Sequence, residues 1–366
     1  MAGRLEATHG VVCRRNGQRF GYFGWPTVAR LDDATLMVAS SGLRTAHVCP
    51  WGKTVLNTST DEGRTWSEPR VINNSPLDDR DAGLVHLGAG RLLVSWFTSD
   101  TREYLYPGRL SEEEEAAWRA TFATWTDELV QQRLGSWVML SNDRGATWGD
   151  PIRVPVTAPH GPVPLQDGDL LYLGKQYGTW EERTYGRILA ARSDDGGRTW
   201  TELGTVPIAE DTHSVNYHEP HVVELPSGRL LGAIRIQAHS GKDLTAAGIP
   251  SPSVMLTESD DGGRTWSQAR PMGFHAVPPH LLRHSGGALI LTHGHRREPC
   301  GQRVALSHDE GRTWEHGWVL RDDGPDGDLG YPATVELADG DLFTVYYQKV
   351  PGDENCSLLW SRWRLP

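Results

Sequence analysis

The chain is poor in the features that would staple it, anchor it or tie it to nucleic acid. Its 366 residues hold four cysteines, Cys13, Cys49, Cys300 and Cys356. They stand far apart, with no Cys-x-x-Cys pair and no Cys/His zinc spacing. Buried free thiols are the expectation, and neither a metal nor a cofactor is expected. No run approaches the ~18 apolar residues of a membrane-spanning helix. The opening MAGRLEATHG has no apolar signal core, so a cytoplasmic protein without membrane attachment is expected. Positive charge is scarce: 36 Lys and Arg against 47 Asp and Glu leave a net charge of −11. That balance argues against a phosphate-tracking nucleic-acid surface. Gly-x-Ser-x-Gly and phosphate-loop motifs are missing, and HEPH at His218–His221 lacks the His-Glu-x-x-His zinc spacing.

Tryptophan is abundant, at 15 residues. Its placement is periodic. Five segments read S-x-D-x-G-x-T-W: Ser59–Trp66, Ser141–Trp148, Ser193–Trp200, Ser259–Trp266 and Ser307–Trp314. One such match arises by chance in roughly one such chain in a thousand, so five define a repeat. The residue types suit a hairpin turn. Asp accepts backbone N–H groups, Gly supplies a positive φ, and Trp covers the turn with an apolar plate.

A second repeat precedes each box: an apolar strand, a turn with Gly or Asp, and another apolar strand. Its six copies are Pro26–Ser40, Ala82–Trp96, Gly161–Lys175, Pro220–Ile234, Pro279–His293 and Pro332–Tyr346. Six hairpins (strands A and B) and five boxes (the C–D turns) predict an all-β, six-bladed β-propeller spanning 1–366 as a single domain. The last blade lacks a box. Its strand Cys356–Leu365 is expected to pair with an N-terminal strand near Ala7–Arg14 and close the ring.

Strands alternate in direction, so the start of A, the end of B and the B–C loop share one face, opposite the boxes. That open face should hold any chemistry. The residues that start strand A are Gly24-Trp25, Arg80-Asp81, Pro159-His160, His218-Glu219, Pro278 and Gly330-Tyr331. The ends of strand B bring Arg44 and His47, Arg102, Gln176-Tyr177, Arg235, His295-Arg296-Arg297 and Gln348-Lys349. Convergent arginines suit bidentate capture of a carboxylate. Arg235, Arg297, Arg296, Arg44, Arg80, His160, Trp25 and Tyr177 are therefore the candidate substrate-binding residues.

With these motifs the chain resembles the sialidase (neuraminidase) superfamily, whose members are six-bladed propellers with Asp-box repeats. HEPHVVELPSGRLLGAIR resembles the segment carrying that family's Glu and a carboxylate-binding Arg, which fall on Glu219 and Arg235. DLGYPATVELADGDLFTVYY resembles the segment with its tyrosine nucleophile, which falls on Tyr331. The third triad arginine falls on Arg297, Arg296 or Arg303, in that order. The resemblance implies an exo-acting, retaining glycoside hydrolase that removes a terminal acidic sugar from a glycan. Tyr331 would attack the anomeric carbon with Glu219 as its base, the recognised exception to two-carboxylate glycosidases.

Two departures stand out. FGWPTV puts Gly24-Trp25 where the family carries an Arg-Ile-Pro motif, so the first triad arginine is missing and Arg44 is the candidate replacement. The family's Asp acid/base has no clear counterpart, and Asp81 within LDDRDAGL is preferred over Asp78 and Asp79. A second reading is therefore open: a lyase acting on a uronate-containing glycan by β-elimination, with His47, His160, His218 and Tyr331 as the proton-handling candidates. A glycan-binding propeller without catalysis is the third.

Two inserts flank the open face. Tyr104–Leu134, in blade two, begins with Ser111 as N-cap and Glu114 at the capping-box position, and carries Trp118, Phe122, Trp125 and Leu129 at helical spacing. This helical insert packs on the propeller rim, forms a lid, or meets a second copy, which leaves a homo-oligomer open. His239–Ser253 is a loop on the same face. Asp322–Gly330 alternates acids but lacks a calcium-loop pattern and reads as a solvated turn.

Overall fold

The computed structural model describes residues 3–177 and 186–366. Six antiparallel sheets are arranged as blades, with strands A of neighbouring blades meeting around a common axis. Blade one runs Tyr22–Arg30, Leu36–Arg44, Lys53–Ser59 and Arg70–Asn73; blade two runs Asp78–His86, Leu92–Ser99, Gly135–Ser141 and Ile152–Val154. Blade four is Tyr217–Glu224, Leu230–Ile236, Ser253–Ser259 and Arg270–His275, and blade five Val277–Arg283, Leu289–His295, Cys300–Ser307 and Glu315–Gly324. Blade six supplies Gly330–Glu336, Leu342–Lys349 and Cys356–Trp363, and its fourth strand is Ala7–Cys13, with Ala7 opposite Trp363. The ring is thus closed between the two ends of the chain, as the sequence led us to expect.

Blade three departs from the pattern. Its inner position is split into Val156–Thr157 and Val163–Pro164, both paired with Leu170–Gln176. The intervening Pro159, Gly161 and Pro162 explain this, since proline cannot donate to a ladder.

The core is divided among the six blade-to-blade interfaces. Phe23, Val38, Phe343 and Leu358 fill the contact of blades six and one, and Leu171, Ile188, Ile234 and Met255 that of blades three and four. Each fully buried side chain of this size contributes about 1.5–3 kcal/mol.

The five boxes form the same turn. In the first, Ser59 Oγ donates to Asp61 Oδ1 at 2.8 Å and accepts from Gly63 N at 2.9 Å. Asp61 accepts from Thr65 N at 2.9 Å and Thr65 Oγ1 at 2.6 Å, and Trp66 Nε1 donates to Gly63 O at 3.0 Å. The Thr65 hydroxyl, then its N–H and Ser59, hold the Asp61 carboxyl down at about 2. Gly63 sits at φ 86°, and a Cβ there would lie 2.6 Å from the Phe343 ring of blade six. Each box thereby seats its blade on the preceding one.

The helical insert is two helices rather than one stripe. Helix α1 (Glu112–Phe122) is capped by Ser111, whose Oγ accepts from Glu114 N at 3.3 Å; helix α2 (Asp127–Arg133) is capped by Thr126. Trp118 is fully buried, edge-on to Trp51 of the blade-one B–C loop, and Trp51 Nε1 donates to Thr121 Oγ1 at 3.0 Å. Trp125 and Val130 close over Leu77. The insert packs on the rim of blades one and two. Among the described residues no helix is long and apolar enough to cross a membrane.

Candidate active site

Four non-glycine residues near the start of strand A share a left-handed backbone: Trp25 (φ 54°), Asp81 (φ 47°), Glu219 (φ 49°) and Tyr331 (φ 53°). Each sits at a break in register between strands A and B, where an extra residue is accommodated. Such a conformation costs about 1–3 kcal/mol per residue and persists only where the surroundings impose it. Here the same distortion in blades one, two, four and six turns one large side chain into a shared neighbourhood at the axis.

Tyr331 and Glu219 meet there. The Tyr331 hydroxyl donates to Glu219 Oε1. Arg235 Nη1 donates to Glu219 Oε2 at 2.6 Å and to Tyr331 Oη at 3.3 Å. The far side of the Arg235 guanidinium is held by Gln237 Oε1, 3.2 Å from Nε. Burial, then the Glu219 charge, pushes the Tyr331 phenol well above its ordinary range, so it is neutral. Asp81 is buried and, among the described residues, its carboxyl group makes no hydrogen bond or ion pair. Burial and the nearby Glu219 carboxylate push it up to about 7. Lys175 stands on the blade-three side; burial lowers it to about 7, and its Nζ donates to Tyr217 O at 2.6 Å.

A second cluster faces the first across Trp25. His47 stacks edge-on against the Trp25 indole (centroids 5.0 Å), and Trp25 meets Tyr331 at 6.3 Å. His47 Nδ1 lies 2.9 Å from Asp328 Oδ1 and 3.1 Å from Tyr22 Oη. Its side chain is 45% exposed. The protein atoms around it lower its pKa by desolvation, opposed by the Asp328 hydrogen bond. Asp328 is held at about 2: burial opposes ionisation, but His47, Tyr22 and the Cys356 thiol outweigh it.

The expected arginines separate into groups. Arg44 is wholly buried and forms a two-pronged pair with Asp78, at 2.6 and 2.8 Å. It also donates to Ala46 O and His47 O, so it clamps the blade-one loop and does not offer a free guanidinium to a substrate. Arg80 lies over Trp25, 4.4 Å from the ring centroid, and donates to His47 O at 3.1 Å. Arg296 reaches the site: its guanidinium stands 5.9 Å from the Tyr331 ring and donates to Leu329 O and Tyr347 Oη. Arg297, ranked first from sequence, instead points to Ser251 O. Arg303 is spent on the carbonyls of Pro299, Gln302 and Arg321. Trp25 fills, with its indole, the place where the resemblance led us to look for an arginine.

His160 lies in a buried trio with His221 and His280 (centroids 4.9 and 4.3 Å from His280), its Nδ1 at 3.1 Å from Thr27 Oγ1. Tyr177 donates to Thr98 O at 2.8 Å, against blade two. Sequence reasoning passed over Asp328, Gln237, Tyr347 and Lys175. Asp328 belongs to the stretch expected to be a solvated turn; there Asp323 and Asp326 pair with Arg321 and Lys349, and Asp328 itself turns to His47. Tyr347 near the end of strand B and the Gln two residues after Arg235 were visible, but nothing local marked their partners.

The fold is an Asp-box propeller like that of sialidases. The BNR repeat-like domain family matches residues 120–344, and the chain belongs to that family. A protein of unknown function from Dyadobacter fermentans is similar over 99% of each chain, at 23% identity and TM-score 0.77. The Trypanosoma rangeli sialidase matches 97% of this chain and 59% of its own length, at 15% identity and TM-score 0.63. An α-L-arabinofuranosidase from Fusarium graminearum matches over 98% of both chains, at 13% identity and TM-score 0.62. At such identities the likeness is one of fold. A search of curated protein sequences finds no match.

Proposed function

We propose that this protein is an exo-acting, retaining glycoside hydrolase that removes a terminal acidic sugar, with Tyr331 as nucleophile and Glu219 as its base. The observation that carries this reading is the Tyr331–Glu219 hydrogen bond with Arg235 donating to both groups. A neutral phenol approaches an anomeric carbon bearing a carboxylate without the repulsion an Asp or Glu nucleophile would meet. Glu219 takes the phenolic proton as the O–C bond forms. Arg235 contacts this pair, Arg296 lies by the Tyr331 ring, Lys175 interacts with Glu219, and Arg80 stands over Trp25, in a chain of net charge −11; this local positive charge favours an anionic sugar. Asp81, uncharged over much of the range below its value of about 7, is placed to donate a hydrogen bond to a sugar hydroxyl. In the test, the protein is incubated with sialyl-lactose and with uronate-capped oligosaccharides. Release of the free acidic sugar supports the reading; intact substrates with no product contradict it.

The His47–Asp328 pair favours one second reading. A neutral imidazole backed by a carboxylate is also a competent base for a uronate C5 proton. β-Elimination would leave an unsaturated sugar, detected by its ultraviolet absorbance in the same assay.

A further inference from the structure

We infer that His47, oriented by Asp328, is the proton donor to the leaving group in the proposed glycosidase, in place of Asp81. The inference rests on the hydrolase reading and adds to it a catalytic residue and a positioning residue.

The first argument is location. In an exo-acting pocket the terminal sugar occupies the closed end and the departing glycan lies toward solvent. Asp81 is buried, beside Glu219, on the nucleophile's own side. His47 is on the solvent side, 45% exposed, and the Trp25 indole touches both it and Tyr331. A sugar reacting at Tyr331 would direct its glycosidic oxygen toward the mouth, where His47 is the proton carrier.

The second argument is immobilisation. A loop histidine with no task has no need of so many restraints. The main-chain carbonyl of His47 accepts from both Arg44 and Arg80, each at 3.1 Å. Arg109 of the helical insert reaches the next carbonyl, Val48 O. Trp51 of the same loop is pinned by Thr121 and Trp118. The ring is held on Nδ1 by Asp328 and Tyr22, and Nε2 has no hydrogen bond among the described residues. The insert therefore braces the loop that carries this imidazole, and the buried Arg44–Asp78 pair anchors it from below.

The third argument is charge. Facing His47 are Asp328 and Tyr22 on one side and the guanidiniums of Arg80 and Arg44 on the other. Asp328 favours the imidazolium and the arginines and burial disfavour it. The charged donor therefore exists mainly at acidic pH.

The step balances as follows. His47 Nε2–H gives its proton to the glycosidic oxygen as that oxygen takes the C–O electron pair. Tyr331 Oη bonds the anomeric carbon and passes its proton to Glu219. Water then attacks that carbon, its proton going to His47, while the Tyr331 oxygen leaves and recovers its proton from Glu219.

A proton donor matters most when the leaving group is a poor one. The test compares sialyl-lactose with 4-methylumbelliferyl α-N-acetylneuraminide, whose aryl leaving group needs little protonation. His47→Gln should slow turnover of sialyl-lactose by about 10²–10⁴-fold and turnover of the aryl glycoside far less. Asp328→Asn should lower kcat with little change in KM and move the basic limb of the pH–rate profile to lower pH. Tyr22→Phe serves as a second variant should Asp328→Asn fold poorly: it removes the hydrogen bond that Tyr22 donates to Asp328, makes that carboxylate a stronger partner of the imidazolium, and should move the limb the other way, to higher pH. Equal losses on both substrates in His47→Gln, or an unmoved limb in Asp328→Asn and Tyr22→Phe, overturn the inference. Asp81→Asn showing the leaving-group dependence instead would also overturn it. Tyr331→Phe distinguishes the parent reading: it should lose both substrates, and if it keeps them, or if wild type turns over neither, the hydrolase reading itself falls.

Discussion

The two faces of the propeller obey different rules. On the box face, one turn is written five times and its donors and acceptors repeat atom for atom. On the funnel face, the six starts of strand A are all different, and four adopt a left-handed conformation that non-glycine residues avoid. Repetition marks what each blade needs in order to stack on its neighbour. Departure from repetition, paid for in backbone strain, marks where the ring is asked for something other than stability.

The contrast can be broken most sharply at Tyr331. Tyr331→Phe removes one hydroxyl and leaves the aromatic packing in place, so activity should fall by at least about 10³-fold while the melting temperature stays near that of wild type. An activity loss accompanied by unfolding would mean that this residue belongs to the scaffold.

Arg44 tests the boundary between the faces. It lies on the funnel side yet is wholly buried with Asp78. Arg44→Met would leave the buried Asp78 charge with only the longer 3.4 Å contact to Arg80 and should cost about 3–5 kcal/mol in urea unfolding. Arg297→Ala, on an exposed neighbour site, should stay within about 0.5 kcal/mol.

Ionisation should separate Asp81 from the box carboxylates by sign. Asp81 has a folded-state value raised to about 7. Its ionisation therefore destabilises the fold, increasingly as pH rises from its ordinary value toward 7, and Asp81→Asn should raise the melting temperature at pH 8 more than at pH 4. The box carboxylates are held down at about 2. Their stabilisation is complete above the ordinary carboxylate range and is lost as pH falls toward 2. Asp61→Asn should thus lower the melting temperature at pH 7, by less than Arg44→Met, and the difference should vanish near pH 2.

The same contrast explains what could be read in the sequence. The blades were legible because each hairpin and box is local: Ser59, Asp61, Gly63 and Trp66 contact one another within eight residues. Ring closure was legible because one blade was short of a strand. Glu219, Tyr331 and Arg235 were legible as strand ends that resemble a family's site segments. Asp328 and Arg44 were not, because their meaning depends on contacts between blades: Asp328 of blade six with His47 of blade one, and Arg44 of blade one with Asp78 of blade two. Local pattern assigned the first to a solvated turn and the second to an available cation. The break between α1 and α2 was likewise hidden in a stripe whose spacing fits one helix.

The central claim is that Tyr331 becomes covalently bonded to the sugar. The most direct test is to treat the protein with a fluorinated N-acetylneuraminyl fluoride, which slows the second step, and to map the adduct by peptide mass spectrometry. The account predicts one sugar attached to Tyr331 in wild type and none in Tyr331→Phe. An enzyme that turns over sialyl-lactose yet carries its adduct elsewhere, or carries none, would contradict it.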